Sequence, residues 1–304
     1  MNKIANFISS AFGEYSHLLN DKRIVEFSAN QNGCVFIERL GHDAEYIGDM
    51  DIDARERVIR YCATACGIPV TDESPIVSAK MPGTGFRFEG VKPPAAEAPL
   101  FSVRFHAVNI LKMDDYVSDG TITPNQAAKI LQAIKDRKNI VVVGGTGSGK
   151  TTLLNMLIGE QDKQSPKERL IVIQDTPEIK SDNKNAVFLQ TSKDVDMTRL
   201  LASSLRLRPD RIIVGEVRDG AALAMIKAWN TGHPGGFTSV HANSAKAALT
   251  RIDLLIREAS AMPLPEVIGL GVDMIIFIDA DRNGRNVKEI IEVKGYENGE
   301  YIYA

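Results

Sequence analysis

Gly144-Gly145-Thr146-Gly147-Ser148-Gly149-Lys150-Thr151 is the stretch whose reading decides the fold. It fits the pattern G-x-x-x-x-G-K-[ST]. The glycines let successive backbone N–H groups turn inward on a phosphate. Lys150 adds a point charge at the β- and γ-phosphates, the Thr151 hydroxyl is placed to ligate Mg²⁺, and Thr152 follows within the same nucleotide-binding set. A helix starting here aims its positive dipole end at the anion. At ordinary residue usage a chain this long matches the pattern by chance on the order of one time in a hundred. Context therefore decides. Asn139-Ile140-Val141-Val142-Val143 precedes the loop and reads as a strand buried on both faces of a parallel sheet, and Thr151 to Ile158 reads as a helix.

Working outward, Thr123-Pro124 opens a helix to about Lys138, with Thr as N-cap and Pro at the first helical position. Leu170 to Ile173 and Arg211 to Val214 are further buried-strand candidates. Helical stretches cover Asp196 to Leu205, Asp219 to Asn230 and Ala245 to Glu258. This alternation predicts an α/β core. Met274 to Ile278, Val287 to Val293 and Tyr301 to Tyr303 are separated by Asn283-Gly284 and Asn298-Gly299, which predicts closing hairpins. Upstream, Arg23 to Ser28, Cys34 to Leu40, Phe86 to Val91 and Leu100 to Phe105 read as strands and Asp51 to Cys66 as a helix. The proline-rich run from Pro93 to Pro99 admits neither a central strand nor a helix. The chain thus divides into a smaller α+β domain over 1–106, a linker over 107–122 and an α/β domain over 123–304.

The 304 residues suit two domains. A net charge of −3 argues against a dedicated nucleic-acid binder. Three cysteines, Cys34, Cys62 and Cys66, point to a reducing compartment without a disulfide framework. Cys62 and Cys66 lack partner ligands and read as buried apolar residues rather than a metal site. No segment has the roughly 18 apolar residues of a membrane span, and no secretory signal is evident. Ile4, Phe7, Ile8, Phe12, Tyr15 and Leu19 recur at helical spacing and predict a helix packing one face on a core, with a membrane-surface helix as the alternative.

A phosphate loop binds; hydrolysis needs an acid to hold Mg²⁺ or orient water. Two acidic sites follow predicted strands: Asp175 and Glu178 after the first, Glu216 after the second. The Glu216 strand is expected as the neighbour of the phosphate-loop strand. A third element, Thr231 to Asn243, reads as a glycine-rich loop carrying His233 and His241. A neutral imidazole N–H there can donate to a γ-phosphate oxygen and register its presence.

The glycine loop, the Asp175–Glu178 box, Leu205-Arg206-Leu207-Arg208-Pro209-Asp210 running into Glu216, and the His241 loop occur together in this order. They resemble the traffic ATPases of type II and type IV secretion. Arg87-Phe88-Glu89-Gly90, Pro93-Pro94, Phe101-Ser102-Val103-Arg104 and Leu111 to Tyr116 resemble the conjugal-transfer branch. The resemblance covers roughly residues 80 to 280. It implies a RecA-like phosphate-loop domain linked to a smaller N-terminal domain, nucleotide held between them, and a homo-hexameric ring. It also implies a place at the cytoplasmic face of the bacterial inner membrane, peripheral to it, with secretion-channel and coupling proteins as partners. Carried over by position, Gly145, Thr146, Gly147, Ser148, Gly149, Lys150, Thr151 and Thr152 bind ATP. Thr151, Glu216 and Asp175 bind Mg²⁺. Glu216 is the Walker B acid, Glu178 lies near the attacking water, and His241 faces the γ-phosphate. Arg87 and Arg104 reach the phosphates from the N-terminal side, in cis or in trans. Which acid activates water stays open. Gln174 stands where the family often has a second acid, and the stretch after Glu216 lacks a glutamate common in the family.

Competing readings are an assembly factor that hydrolyses little and a RecA-like nucleic-acid motor. The motor is disfavoured by the acidic balance and the lack of a basic, aromatic-rich channel, so no direct specific nucleic-acid binding is expected. A small-molecule kinase lacks any acceptor site.

Overall fold

A computed structural model describes residues 10–21, 23–39, 43–82, 86–105, 111–192, 194–260, 262–281 and 284–304. The chain divides into two compact units, Met1–Asn109 and Ile110–Ala304.

The described residues of the first unit form a six-stranded antiparallel sheet with a helix packed on it. The strands are β1 (Ile24–Ala29), β2 (Cys34–Arg39), β3 (Glu45–Asp49), β4 (Ile76–Lys80), β5 (Arg87–Val91) and β6 (Leu100–Arg104), in spatial order β3-β2-β1-β6-β5-β4. Helix α1 (Ile52–Cys66) starts where Asp51 accepts a hydrogen bond from Ala54 N at 2.6 Å. Val58, Ile59 and Cys62 recur at helical spacing and are buried against Phe27, Phe88 and Phe101 of the sheet. Burial pushes the Cys62 thiol up, in keeping with an apolar rather than a ligating role. Residues 1–9, with Ile4, Phe7 and Ile8 of the predicted first helix, lie outside the described residues. Of the rest, Gly13–Asn20 is a 3₁₀ helix, and Phe12 and Tyr15 are buried in this core. The proline-rich run is the irregular connection between β5 and β6. Strands β3 and β4 escaped the sequence reading because they are the sheet's edges, where half-exposed residues carry no clear alternation.

The second unit is a mixed eight-stranded sheet between two helical layers. Its strands are β7 (Ile140–Val143), β8 (Leu170–Gln174), β9 (Ala186–Gln190), β10 (Arg211–Val214), β11 (Phe237–Val240), β12 (Met274–Asp281), β13 (Gly284–Glu297) and β14 (Glu300–Tyr303). Its helices are α2 (Met113–Ser118), α3 (Pro124–Lys135), α4 (Lys150–Gln164), α5 (Met197–Ser204), α6 (Ala221–Asn230), α7 (Ala245–Arg257) and α8 (Pro265–Gly271). The order is β14-β13-β12-β7-β11-β10-β8-β9, with β12 through β9 parallel and the two C-terminal strands antiparallel. Side chains alternate across the buried strands. Val141, Val143, Ile171, Ile173, Ile212 and Val214 enter a core with α5, α6, α7 and α8. Ile140, Val142, Leu170, Val172 and Ile213 enter the other, with α2, α3 and α4. This is the α/β RecA-like architecture, and the continuous apolar runs are what two covered faces require.

Some expectations hold here and others change. The segment expected as linker, 107–122, contributes α2, and Met113, Tyr116 and Ile122 are buried in the second unit's core; residues 106–110 lie outside the described residues. The capping box at Thr123 is reciprocal: Gln126 N donates to Thr123 Oγ1 at 3.3 Å, and Thr123 N to Gln126 Oε1 at 2.9 Å. Asn298 and Gly299 both have positive φ, 54° and 88°, and join β13 to β14 in a tight hairpin. Asn283 of the other pair is outside the described residues. The Glu216 strand is not the neighbour of the phosphate-loop strand, because β11 lies between them, paired to β7 and to β10. The stretch Thr231 to Asn243 is accordingly not one loop but a turn, a buried strand and a second turn.

Candidate nucleotide-binding site

Four loops follow the C-terminal ends of four adjacent parallel strands, in the order β7, β11, β10, β8. They carry Lys150, His241, Glu216 and the Asp175–Glu178 box. In an open parallel sheet this edge is where ligands bind.

The phosphate loop runs from β7 into α4. Gly144 is required by close approach: a Cβ there would lie 2.3 Å from Ile278 O and 2.4 Å from Ser148 Oγ. Gly147 and Gly149 have φ of 75° and 97°, which side-chain-bearing residues rarely adopt. Ser148 Oγ donates to Gly145 O at 3.0 Å and closes the turn. Gly145 is half-buried, Thr146 exposed, and Thr151 and Thr152 half-buried in the first turn of α4. Lys150 is folded into the loop, donating from Nζ to Gly144 O at 3.0 Å and Gly145 O at 2.7 Å. The same Nζ lies 3.2 Å from His241 Nδ1.

His241 Nε2 lies 2.8 Å from Glu216 Oε1. That oxygen is buried without a properly aligned hydrogen bond, so the contact is one of proximity. The other oxygen, Oε2, accepts from Arg218. Burial alone would raise the Glu216 carboxyl. The Arg218 hydrogen bond and charge, with His241 and Lys150, outweigh it and hold the group below the ordinary glutamate value. Burial and then the Lys150 charge push His241 down, with Glu216 pulling the other way. The ring is therefore neutral at pH 7, with Nδ1 accepting from Lys150 and the proton on Nε2, facing Glu216. Its companion His233 sits before β11, its Nδ1 3.3 Å from Ala228 O. The strand's length, about 3.3 Å per residue, separates it from the site.

The acid box follows β8. Thr191 Oγ1 donates to Asp175 Oδ1 at 2.9 Å. Gln174, expected as a departure from the family, is buried, and its Oε1 accepts from Ile179 N at 3.0 Å. Arg218 bridges the two acidic elements: its charge is stabilised by Glu216 first and by Asp175 and Glu178 as well.

The arrangement suits a magnesium nucleotide. The glycine cradle opens its N–H groups at a helix N-terminus, and Glu216 Oε1, buried without an aligned hydrogen bond, has acceptor capacity left for a cation. Among the described residues no cluster of three His, Cys, Asp or Glu forms a ready metal cage. Mg²⁺ takes one or two protein oxygens and otherwise water and phosphate. Thr151 in the first turn of α4, and Glu216 and Asp175 on the loops after β10 and β8, are separate oxygen donors.

Sequence reading missed two basic residues here. Arg218 was visible as a charge two residues beyond Glu216. Arg285 of β13 donates from Nε and a terminal nitrogen to Gly147 O at 3.3 and 3.2 Å. Nothing in the sequence links it to a loop 138 residues away.

In the first unit, Arg87 and Arg104 are directly opposed on β5 and β6, in one row with Lys80 and Glu26. Residues so paired share a face of the sheet. Arg87 is half-exposed and Arg104 exposed.

With this geometry in view, the likeness to known proteins is specific. A probable conjugal transfer protein TrbB of Sinorhizobium fredii is 50% identical over 283 residues, 93% of this chain and 87% of that one. The crystal structure of the VirB11 ATPase from the Brucella suis type IV secretion system, in complex with sulphate, has a TM-score of 0.50. It is 28% identical, with 95% of each chain covered. The pilus retraction motor PilT with bound ADP shares the fold, with a TM-score of 0.60, 20% identity, and coverage of 100% of this chain and 82% of that one. The profile of the type II/IV secretion system proteins matches residues 15–275, and the chain belongs to that family.

Proposed function

We propose that this chain is an ATP hydrolase that forms a hexameric ring and powers conjugal transfer through a type IV secretion apparatus by ATP-driven domain motion. The observation that carries the reading is the convergence of Lys150, His241 and Glu216 at the C-terminal edge of one parallel sheet. The likeness to a conjugal transfer protein and to a type IV secretion ATPase supports the setting.

In this reading Lys150 exchanges the carbonyls of Gly144 and Gly145 for phosphate oxygens, which carry more charge. The backbone from Gly145 to Gly149, with Thr152 in the following turn, holds the phosphates. His241, relieved of Lys150, reports the γ-phosphate. Glu216 and Glu178 orient the attacking water. Thr151, Glu216 and Asp175 would hold Mg²⁺, which when bound would offset the charge of the phosphates. Arg87 and Arg104 supply positive charge to the phosphates, from the same or a neighbouring subunit. No helix among the described residues is long and apolar enough to cross a membrane. The ring works at the cytoplasmic face of the inner membrane, against channel and coupling proteins.

The test is ATP turnover of Lys150→Ala with solution mass measured with and without ATP and Mg²⁺. Turnover lost by a factor on the order of 10² or more and a six-fold mass are expected. Surviving turnover sinks the catalytic assignment, and a monomer under all conditions sinks the ring.

A further inference from the structure

The segment from Asp175 to Lys184 has no helix or strand of its own, so its backbone groups must be held by something other than a ladder. Two side-chain amides hold its centre. Asn155, buried in the second turn of α4, donates from Nδ2 to Glu178 O at 3.0 Å and accepts at Oδ1 from Lys180 N at 2.9 Å. Between these bonds, Ile179 N donates to Gln174 Oε1, and the Ile179 side chain is buried. Three consecutive residues, 178 to 180, are thereby fixed by main-chain bonds to α4 and β8. Two turns further along α4, Asp162 faces the same segment and accepts from Ser181 Oγ at 2.7 Å and Asp182 N at 3.1 Å. Residues seven apart share a helix face.

We infer that Asn155 is a positioning residue: it ties the segment bearing Glu178 to the helix that begins at Lys150, so that Glu178 moves with the phosphate loop. The inference rests on the proposed part of Glu178 in hydrolysis. The chemistry calls for asparagine. The site needs a donor and an acceptor on one short side chain, 23 and 25 residues from its partners. Aspartate keeps the acceptor toward Lys180 N but sets a carboxylate against the Glu178 carbonyl. Alanine loses both bonds. Asp162 and Ser181 hold only the far end of the segment, beyond the residue that matters to the site.

The experiment uses the full chain with ATP and Mg²⁺. It compares the parent with Asn155→Asp, Asn155→Ala, Ser181→Ala, Glu178→Gln and the double variant Asn155→Asp/Glu178→Gln. Two quantities are read: steady-state turnover and amide hydrogen exchange of the peptide spanning 175–184. Each Asn155 variant is expected to lower kcat by about ten- to a hundredfold, the size of a small misplacement of a reacting group. KM for ATP should stay within about threefold. Exchange across 178–180 speeds up, while Ser181→Ala speeds exchange only at 181–183 and keeps the parent kcat. In the Glu178→Gln background, Asn155→Asp costs less than about twofold more, because both changes disable one unit.

The inference is overturned by a KM rise at unchanged kcat, by a Ser181→Ala loss matching that of Asn155→Ala, or by full multiplicative losses in the double variant. Parent-like turnover of Glu178→Gln would instead remove the part given to Glu178. Exchange then decides the clamp by itself, and unchanged exchange in Asn155→Ala overturns it. Asn155→Ala serves if the buried charge of Asn155→Asp prevents folding.

Discussion

Lys150 Nζ lies 3.2 Å from His241 Nδ1, although 91 residues separate the two in sequence. The contact exists because β11, which His241 follows, is hydrogen-bonded directly to β7, which the phosphate loop follows. On the far side β11 pairs with β10, which leads to Glu216. The order Lys150, His241, Glu216 across the site is the order of the strands.

This contact makes a pH prediction. The folded-state pKa of His241 lies below the ordinary value of about 6.5. In the window between its folded value and about 6.5 the unfolded ring binds a proton that the folded ring does not. Stability is therefore constant above that window and falls as pH drops through it. Burial first, and then Lys150, Arg218 and Arg251, disfavour the proton, and Glu216 favours it. Thermal melts between pH 8 and 5 should show this slope in the parent, and His241→Gln should flatten it. Glu216 titrates in a separate, more acidic window.

Arg218 is the strongest partner opposing the burial of Glu216. Arg218→Ala should raise the Glu216 pKa, since His241 and Lys150 remain but the hydrogen bond is gone. The acid limb of the pH profile of ATP turnover should then move to higher pH. An unmoved limb would show that another group sets it.

Arg211 begins β10 and is almost fully buried, 1% exposed. It donates to Glu168, to Gly235 O at 3.3 Å and to Ile134 O at 3.2 Å. Truncating it takes the donor from Gly235 O and one donor from Glu168, whose carboxylate keeps Arg137 at 2.6 Å and Gln161 at 3.0 Å. Arg211→Ala should cost about 1–3 kcal/mol, the size of a buried acceptor left without its donor, measured by denaturant unfolding. KM for ATP of the folded protein should not change, because the site lies beyond the other end of the strand.

Gly236 lies under the Trp229 ring, where an added Cβ would come within 2.0 Å of Nε1 and 2.6 Å of Ile212 O. The indole N–H donates to that same carbonyl at 3.0 Å. Gly236→Ala forces the pair apart and should cost roughly 1–3 kcal/mol. For a protein of this size that lowers Tm by several degrees, about 2–4 °C per kcal/mol.

The phosphate loop, the buried runs at β7, β8 and β10, the capped start of α3 and the Asn298-Gly299 turn were determined by sequence alone. Each is a contiguous pattern whose meaning rests on neighbours in the chain: glycines that free a backbone, β-branched residues that suit a sheet covered on both faces, a threonine that caps the helix after it. The acids after β8 and β10 were legible for the same reason, since parallel strands end on one edge. Tertiary structure alone decided which strands are adjacent. Inserting β11 between β7 and β10 made His241, and not His233, the partner of Lys150. It also gave Arg285 its place on Gly147 and Asn155 its hold on Glu178 and Lys180. Such pairings span 23 to 138 residues. They arise from strand order and from which faces share a core, quantities that no local pattern carries.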